Sequence, residues 1–385
     1  MRKKLKDVCM FYSGTGFPIQ YQGQTKGEYP FYKVGDIANN AIAGKIYLEL
    51  CNNYISSDVA KMIKGCILPK DTVVFAKIGE ALKLNRRAIT SCDCLIDNNA
   101  MGIAPKLDSL RIQYFYFCMK NLKMQTLAES TTVPSVRKTV LEKYEIEVPS
   151  LVEQEEIEKK LTLTQKIIEK RRQELSYLDE IIKARFVEMF GDPVSNSYGF
   201  PEATLPELGE LGRGVSKHRP RNDSKLLGGD YPLIQTGDVA NAGLYITSYG
   251  GTYSELGLKQ SKMWNKGTLC ITIAANIAKT AILEFDACFP DSVVGFIANE
   301  KTNNIFIHYW FSFFQAILES QAPESAQKNI NLKILSELKV IVPKKEKQDE
   351  FVEFIEQVYK SKVAVQKALD ETQILFDSLM QKYFG

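Results

Sequence analysis

One sequence pattern occurs twice in this chain, and the duplication constrains the fold more than any other feature. Three blocks recur in the same order at nearly constant spacing. They are YPFYKVGDIANNA at 29–41 with YPLIQTGDVANAG at 231–243, LEKYEIEVPSLVEQEEI at 141–157 with LSELKVIVPKKEKQDEF at 335–351, and Phe-Gly at 190–191 with Phe-Gly at 384–385. Chance similarity does not keep order over three blocks. A period of about 194 residues in a chain of 385 predicts two large units and excludes a solenoid of short repeats.

Each unit opens with a head of mixed secondary structure. The β-branched runs DTVVFAKIG at 71–79 and GTLCITIAA at 267–275 are typical of buried strands. Each head also has one strongly apolar helical stretch, RIQYFYFCMKNL at 111–122 and NIFIHYWFSFFQAIL at 304–318. We therefore predict two similar globular domains of the α/β or α+β class.

A long stretch without internal glycine or proline closes each unit. Between Leu151 and Phe190, seam positions recur every seven residues, and the second copy repeats them in phase. Sustained heptads predict a long helix with a coiled-coil seam, and about 38 residues at ~1.5 Å each give roughly 57 Å. Pro149 and Pro343 precede these helices and a glycine follows each, as expected for helix ends.

The two long helices pair most economically with each other. Antiparallel pairing relates the two copies by a pseudo-two-fold axis, and the alternative is that each helix only braces its neighbouring head. The predicted architecture is two mixed α/β domains separated by two long antiparallel coiled-coil helices. Its domains are a first head at 1–148, a central helical spacer at 149–191, a second head at 192–342 and a C-terminal helical spacer at 343–385.

No catalytic or metal-binding motif stands out in the sequence. The two histidines, His218 and His308, and the eight cysteines do not fall at zinc-ligand spacing. The glycines of FYSGTG at 11–16 lack the strand and helix that flank a nucleotide-binding loop, and Pro18 follows them. Neither a phosphate loop nor an N-P-P-F/Y methyltransferase motif is present. We expect a chain without catalytic residues, metal or bound cofactor.

Cysteine usage and hydropathy predict the compartment. Cysteines without paired spacing in a chain of this length indicate free thiols in a reducing environment. The most apolar stretch, 309–318, is shorter than the ~18 residues that a membrane span needs. We therefore expect a cytoplasmic protein without a membrane segment.

Positive charge is unevenly distributed, although the net charge is only +3. The first head carries a net charge of +7, whereas residues 191–342 carry −2. In the second head the basic residues concentrate in GRGVSKHRPRND at 212–223, which glycines and a proline keep out of regular structure. Such a loop suits phosphate neutralisation and guanine contacts, and the alternative is an ordinary solvated loop.

Candidate DNA contacts follow from this distribution. In the second head they are the basic loop residues, the short polar pair before a Gly-Asp turn, and two lysines that flank the buried strand. These are Arg213, Lys217, His218, Arg219, Arg221, Gln235, Thr236, Lys262 and Lys279. In the first head the candidates are Lys33, Lys77, Lys83, Arg86 and Arg87. We expect the repeated Gly-Asp pair to form a turn that orients the residues beside it.

Taken together, these motifs resemble the specificity subunit of a type I restriction-modification system. The resemblance rests on YPFYKVGDI and YPLIQTGDV, the basic loop 212–223, the VPSLVEQEEI and VPKKEKQDEF helix entries, and MFGDP at 189–193. It covers essentially the whole chain. One departure concerns the first head, whose loop SGTGFPIQYQGQTKGE lacks the arginine density of the second.

The resemblance implies a division of labour. Each head would be a target recognition domain that reads half of a bipartite site in double-stranded DNA. The helices would set the half-site spacing and dock two modification subunits, which bind S-adenosylmethionine and methylate adenine. Restriction subunits, where the system has them, would use ATP and Mg²⁺, and the specificity subunit itself would have no catalytic residues.

Two other classes of protein remain open from the residues alone. One is a non-catalytic coiled-coil scaffold with two ligand-binding heads and no DNA. The other is a methyltransferase that itself binds S-adenosylmethionine.

Overall fold

The structure, a computed structural model, describes residues 1–128, 133–218, 220–274, 277–321 and 330–385. Two compact units are present: Met1–Gln173 with Gln366–Gly385, and Glu174–Val365. This division cuts both long helices, so each unit holds one head with half of each helix. The predicted heads and spacers divide the residues differently from these two units. Their boundaries therefore remain predictions.

The first unit is built on short strands and helices. Its strands are β1 (Arg2–Lys4), β2 (Cys9–Ser13), β3 (Tyr29–Tyr32), β4 (Tyr54–Ile55), β5 (Val73–Ala76), β6 (Arg87–Ile89), β7 (Leu95–Ile96), β8 (Ala100–Pro105) and β9 (Glu145–Glu147). Its helices are α1 (Leu5–Val8), α2 (Val34–Ile42), α3 (Ser57–Met62), α4 (Glu80–Lys83), α5 (Ile112–Asn121), α6 (Met124–Leu127), α7 (Lys138–Lys143) and the first half of α8 (Leu151–Phe190).

The second unit has a corresponding set. Its strands are β10 (Glu202–Thr204), β11 (Gly209–Arg213), β12 (Leu227–Leu233), β13 (Tyr245–Ile246), β14 (Gly251–Tyr253), β15 (Met263–Trp264), β16 (Leu269–Thr272), β17 (Thr280–Leu283), β18 (Ala287–Cys288), β19 (Val293–Ala298) and β20 (Lys339–Ile341). Its helices are α9 (Leu205–Leu208), α10 (Thr236–Asn241), α11 (Glu255–Lys259), α12 (Asn304–Gln321), α13 (Leu332–Glu337) and the first half of α14 (Lys345–Phe384). Short 3₁₀ helices lie at Ile19–Tyr21 in the first unit and Ser224–Leu226 in the second.

Sheet topology confirms the duplication. The main sheet has the order β2-β8-β5-β6 in the first unit and β11-β19-β16-β17-β13 in the second. The second unit has an extra strand, β13, which runs parallel to β17. In the first unit a single parallel bridge between Tyr47 and Ile89 lies at the equivalent position. A second sheet, β4-β3-β7, likewise corresponds to β14-β12-β18-β15. The mixed α/β fold class predicted for both heads is therefore confirmed.

The apolar helical stretch of each head forms part of its core, as predicted. In α5 the side chains of Phe115 and Phe117 are fully buried, and in α12 those of Phe306, Trp310 and Phe311 are fully buried. Burying each such side chain stabilises the fold by about 1.5–3 kcal/mol. Both runs predicted as buried strands are confirmed as β5 and β16.

The two 40-residue helices confirm the coiled-coil prediction. In the second unit, Phe186 of α8 packs against Phe351 of α14, with ring centroids 5.4 Å apart. Arg185 also bonds Glu350 at 2.8 Å in this unit. A later residue of α14, Lys362, pairs with an earlier residue of α8, Asp179, so the helices are antiparallel.

In the first unit the seam continues with the other helix halves. Leu161 and Ile168 of α8 and Leu369 and Phe376 of α14 are buried there. These are heptad positions of the sequence pattern, which explains why an apolar residue is needed at each.

A buried glutamine anchors the start of each long helix. Gln154 donates to the carbonyls of Ser109 and Pro149 and accepts from the backbone N–H of Arg111, each at 2.9 Å. Its repeat partner Gln348 makes an equivalent set with Lys301, Pro343 and Thr302. The repeated glutamine therefore ties head to helix in both units.

All eight cysteines are free thiols, as predicted. No helix in the described ranges is long and apolar enough to cross a membrane.

Candidate nucleic-acid interface

In the second unit, loops from several strands meet at one edge of the main sheet. Arg213, the last residue of β11, pairs with Val294, and Thr272, the last of β16, pairs with Val293. The loops that follow β11 and β16 therefore lie beside the turn that precedes β19. We call this the recognition edge of the unit.

An arginine cluster occupies this edge. Arg213 donates from Nε to the backbone carbonyl of Asp291, and the Arg221 guanidinium pairs with the Asp291 carboxylate. Arg221, Gln235 and Thr236 line one cavity of about 290 Å³. The structure thus brings four of the sequence candidates together around a single turn.

Lys217 and His218 lie on the same loop. The backbone N–H of His218 donates to Oε1 of Gln260 at 3.0 Å, and its Nε2 lies 3.2 Å from Oδ2 of Asp223. The backbone N–H of Lys225 and the His218 ring hold the pKa of Asp223 below its usual value. Lys217 is exposed, and Arg219 lies outside the described residues.

The two remaining lysines of the second unit lie elsewhere. Lys262 is exposed, with Nζ 3.7 Å from the centroid of the Trp264 ring and 3.3 Å from Glu210. Lys279 lines a different cleft of about 310 Å³, beside His308. The structure does not bring either lysine to the Arg221 cavity.

In the first unit, Lys33 and Lys77 come to the equivalent edge. Lys33 precedes α2, whose Val34 N–H donates to Oδ2 of Asp97 at 3.1 Å. Lys77 follows β5, and its N–H donates to the carbonyl of Asn99 at 2.9 Å. Both lysines therefore lie beside the turn that precedes β8.

An aromatic stack supports Lys33. Its Nζ donates to Oε1 of Gln22 and lies 5.7 Å from the centroid of the Phe17 ring. Phe17 in turn stacks on Phe31 at 3.8 Å. In the first head, aromatic rings thus position the lysine at the edge. In the second head, Asp291 positions the arginines.

Arg87 is placed differently from the prediction. Its side chain is buried, with only 3% of the residue exposed, and it donates to Asn85 at 2.6 Å and to the Leu122 carbonyl at 3.2 Å. Burial lowers its pKa to about 10. A direct contact between Arg87 and DNA is not supported, because the guanidinium lies inside the unit. Arg86 is half-buried, and Lys83 is exposed and paired with Glu80 at 2.6 Å.

The repeated Gly-Asp pair begins a helix in both units, rather than the predicted turn. The carboxylates of Asp36 and Asp238 accept from the backbone N–H of Lys33 and Gln235, each at 2.8 Å. This is the acidic half of a capping box, so the carboxylate fixes the first helical turn. Partial burial raises the pKa of Asp36.

Sequence reasoning missed the turns at the centre of both edges. Asp291 and Ser292 form this turn in the second unit, and Asp97, Asn98 and Asn99 form it in the first. Asn98 and Asn99 are exposed, and an asparagine amide can bond the adenine edge in the major groove. The repeat spacing of about 194 residues aligns Asp97 with Asp291, so the signal was present in the sequence.

Comparison with known proteins decides the family. The family model described as type I restriction modification DNA specificity domain matches residues 1–177 and, a second time, residues 202–372. The chain belongs to this family. It is therefore a DNA specificity subunit of the type I restriction-modification class, and the predicted resemblance is confirmed.

Individual relatives agree with the family assignment. A Methanocaldococcus jannaschii protein described as the type I restriction enzyme MjaX specificity subunit is 21% identical over 344 residues, which cover 85% of this chain and 79% of that protein. The MjaIX specificity subunit of the same organism is 25% identical over 197 residues, which cover 49% of this chain and 43% of that protein.

Solved structures share the fold. The type I restriction-modification S subunit from M. genitalium superposes with a TM-score of 0.60 at 14% identity, covering 100% of this chain and 96% of that one. A chain from a structural study of type I R-M complex assembly and conformational transition gives 0.54 at 15% identity, with 100% and 97% covered.

Proposed function

We propose that each unit reads one half of a bipartite site in double-stranded DNA through its recognition edge. The observation that carries this proposal is the double match of a DNA specificity domain, once per unit, on heads whose polar loops gather at equivalent edges. Two similar heads whose edge loops differ can recognise two different half-sites.

In the second unit, Arg213, Arg221, Gln235 and Thr236 would make the contacts, with Lys217, His218 and Arg219 on the same loop. Arginine can bond guanine or phosphate with two parallel hydrogen bonds, and glutamine can bond adenine. The bond to Asp291 holds Arg221 in place, which lowers the entropy lost when DNA replaces water around it.

In the first unit, Lys33 and Lys77 would neutralise phosphates, and Asn98 and Asn99 would read bases. Both asparagines are exposed at the turn that precedes β8. An exposed amide is free to bond a base edge. This half-site would therefore be read by amides rather than by arginines.

The long helices would dock two modification subunits and set the distance between half-sites. Exposed apolar side chains support this role: Val152 and Leu163 on α8, and Val363, Ile374 and Leu375 on α14, are each more than half exposed. Partner subunits would cover such side chains. The partners would carry S-adenosylmethionine and methylate adenine, and any restriction subunits would use ATP and Mg²⁺. The cytoplasm, which holds these partners and the DNA, is the compartment we propose.

The test is methylation by the reconstituted complex. The chain, combined with its modification subunits and S-adenosylmethionine, should methylate one bipartite sequence in a plasmid library, and neither component should do so alone. A complex that binds all duplexes alike at moderate salt would contradict sequence-specific reading. The scaffold alternative predicts no salt-dependent binding to duplex DNA at all.

A further inference from the structure

The first unit contains a basic cleft of about 400 Å³ between its head and its helix halves. Its lining includes four cations and two carboxylates: Arg86, Arg87, Lys120, Arg172, Glu169 and Asp377. A fifth cation, Lys45, also lines the cleft and pairs with Glu49. Positive charge therefore exceeds negative charge in a confined space.

None of these four cations has a carboxylate within ion-pair distance in the described ranges of the chain. Arg87 is buried, and its Nε has no hydrogen-bond partner there. Burying a cation is costly, and desolvation lowers the pKa values of Arg87 and Lys120. Glu169 and Asp377 offset part of this effect on Lys120. An anion in the cleft would remove this cost.

Aromatic rings contact two of these cations. Nζ of Lys120 lies 5.4 Å from the ring centroid of Phe376 and 5.9 Å from that of Tyr116. The Arg87 guanidinium lies 5.0 Å from the Phe75 ring. Lys120 is thus held against ring faces, which leaves its N–H groups available. Arg87 donates to Asn85 and the Leu122 carbonyl, so it contributes charge to the cleft rather than a direct contact with the anion.

A cleft of the second unit, beside α10 and α12, carries less charge. It is lined by Ala242, Lys279, Thr280 and His308 among others, and Lys279 is the one Lys, Arg, Asp or Glu in its described lining. Burial lowers the pKa of His308 to about 4, so this ring is neutral at pH 7. The fold alone therefore does not make such a cleft basic.

We propose that the basic cleft of the first unit binds a phosphate group, and that in the working complex this phosphate belongs to the DNA backbone beside the first half-site. Arginine and lysine side chains together are the usual ligands of phosphate oxygens. Phe75 pairs with Arg87 across β5 and β6, so the start of β6, with Arg86 before it, lies beside the end of β5 that leads to Lys77. This inference rests on the proposed function.

The test compares two double variants of the full chain, each assembled with the modification subunits. Lys120→Gln/Arg172→Gln removes two charges from the cleft, and the control Lys166→Gln/Lys170→Gln removes two from exposed positions on α8. Binding of a duplex with the target site is measured over a range of salt concentrations. A parallel measurement records the change in Tm of each free chain with inorganic phosphate, and Arg86→Gln serves as a milder cleft variant.

We expect the cleft variant to bind about tenfold more weakly at fixed salt, because a hydrogen bond between charged groups is lost. The slope of log K against log salt should fall by about 0.9, with the ratio of target to random binding unchanged. Inorganic phosphate should raise the Tm of the wild type and the control, but not of the cleft variant. A lost Tm response with an unchanged salt slope would support a phosphate site that takes free phosphate and overturn the assignment to DNA.

Two results would overturn the inference altogether. One is a cleft variant that matches the control in both measurements. The other is a defect confined to association with the modification subunits, which would assign the cleft to a protein carboxylate. If the wild-type complex itself binds all duplexes alike, the proposed function fails, and the phosphate measurement still decides whether the cleft is an anion site.

Discussion

The two units share a fold and differ in the surfaces that would face DNA. Their main sheets share a four-strand order, to which the second unit adds β13, and both units anchor a long helix through a buried glutamine. At the recognition edge, however, the first unit presents lysines and exposed asparagine amides, whereas the second presents arginines around Asp291. The clefts also differ: that of the first unit has several lysines and arginines, whereas the described lining of the cleft beside His308 has one lysine.

This contrast shows which positions the fold constrains. Strands and seam residues are packed on several sides, so a change there creates a cavity or a clash. Edge loops contact solvent on one side and can change freely. Duplication followed by divergence at the edge loops can give one chain two different surfaces on one scaffold.

The largest expected effect tests what the units share. Inserting seven residues into both long helices, after Glu174 and after Gln366, lengthens each by ~10 Å and keeps the heptad seam in phase. Methylation of the natural site should fall more than about 100-fold, since one half-site loses base contacts of about 1–3 kcal/mol each. A library of sites should reveal a spacer longer by about three base pairs, at 3.4 Å per pair.

The matched control replaces the seven residues before each insertion point with the inserted sequence, at constant length. If the lengthened variant prefers the same spacer as the wild type, the helices do not set the distance between half-sites and only support their heads.

The second prediction tests the difference between the recognition edges. Arg221→Ala should weaken binding by up to about 3 kcal/mol and relax only the half-site read by the second unit. Asn98→Ala should relax only the other half-site. Methylation of libraries randomised in one half-site at a time measures both, with Lys339→Ala on β20 as a charge control. Equal relaxation of both half-sites by Arg221→Ala would indicate a phosphate contact without base reading.

The third prediction uses a titratable group of the second unit. His308 of α12 lies 2.9 Å from Thr280 Oγ1, and burial, with Lys362 nearby, lowers its pKa to about 4. An unfolded histidine binds a proton near pH 6.5, so between pH 6.5 and 4 the unfolded state holds more protons and stability falls as pH falls. At pH 5 the loss should be about 2 kcal/mol.

Hydrogen exchange at pH 7 and 5 would locate this loss in the second unit. The variant His308→Gln should be less sensitive to pH across this interval. Tyr116 is the fifth residue of α5, as His308 is of α12, and a tyrosine does not titrate in this range. An equal acid-induced loss in both units would show that other groups dominate.

The smallest effect tests the shared anchor. Gln154→Ala and Gln348→Ala each leave backbone carbonyls without a donor, and each should cost about 1.5 kcal/mol in its own unit. Urea unfolding followed by hydrogen exchange in each unit measures both. If the two variants lose markedly different free energies of unfolding, the two anchors are similar in geometry but contribute unequally to stability.

Much of the fold could be predicted because periodic patterns reflect burial. The seven-residue period of the long helices, the β-branched strand runs and the glycine that follows each long helix all match the structure. The helix at the Gly-Asp pair was predicted as a turn, because Gly and Asp favour both, and the capping role of Asp36 depends on where its carboxylate folds back.

The candidate site was predictable only in part. The basic residues of the second unit's loop are close together in the sequence, so Arg213 and Arg221 could be named as candidate DNA contacts. Arg87 could not be distinguished from Arg86 by sequence, and the structure buries one and leaves the other half-exposed. The basic cleft of the first unit is assembled from a head loop, α5, α8 and α14, whose residues are far apart in sequence.

The sequence by itself determined the duplication, the mixed heads, the two long helices and the family, because these depend on local periodicity and on repeated order along the chain. Only the tertiary structure decided which charged side chains share an edge, which are buried, and which lack an opposite charge. Those properties depend on distances between residues that are remote in the chain. No pattern of neighbouring residues records such distances.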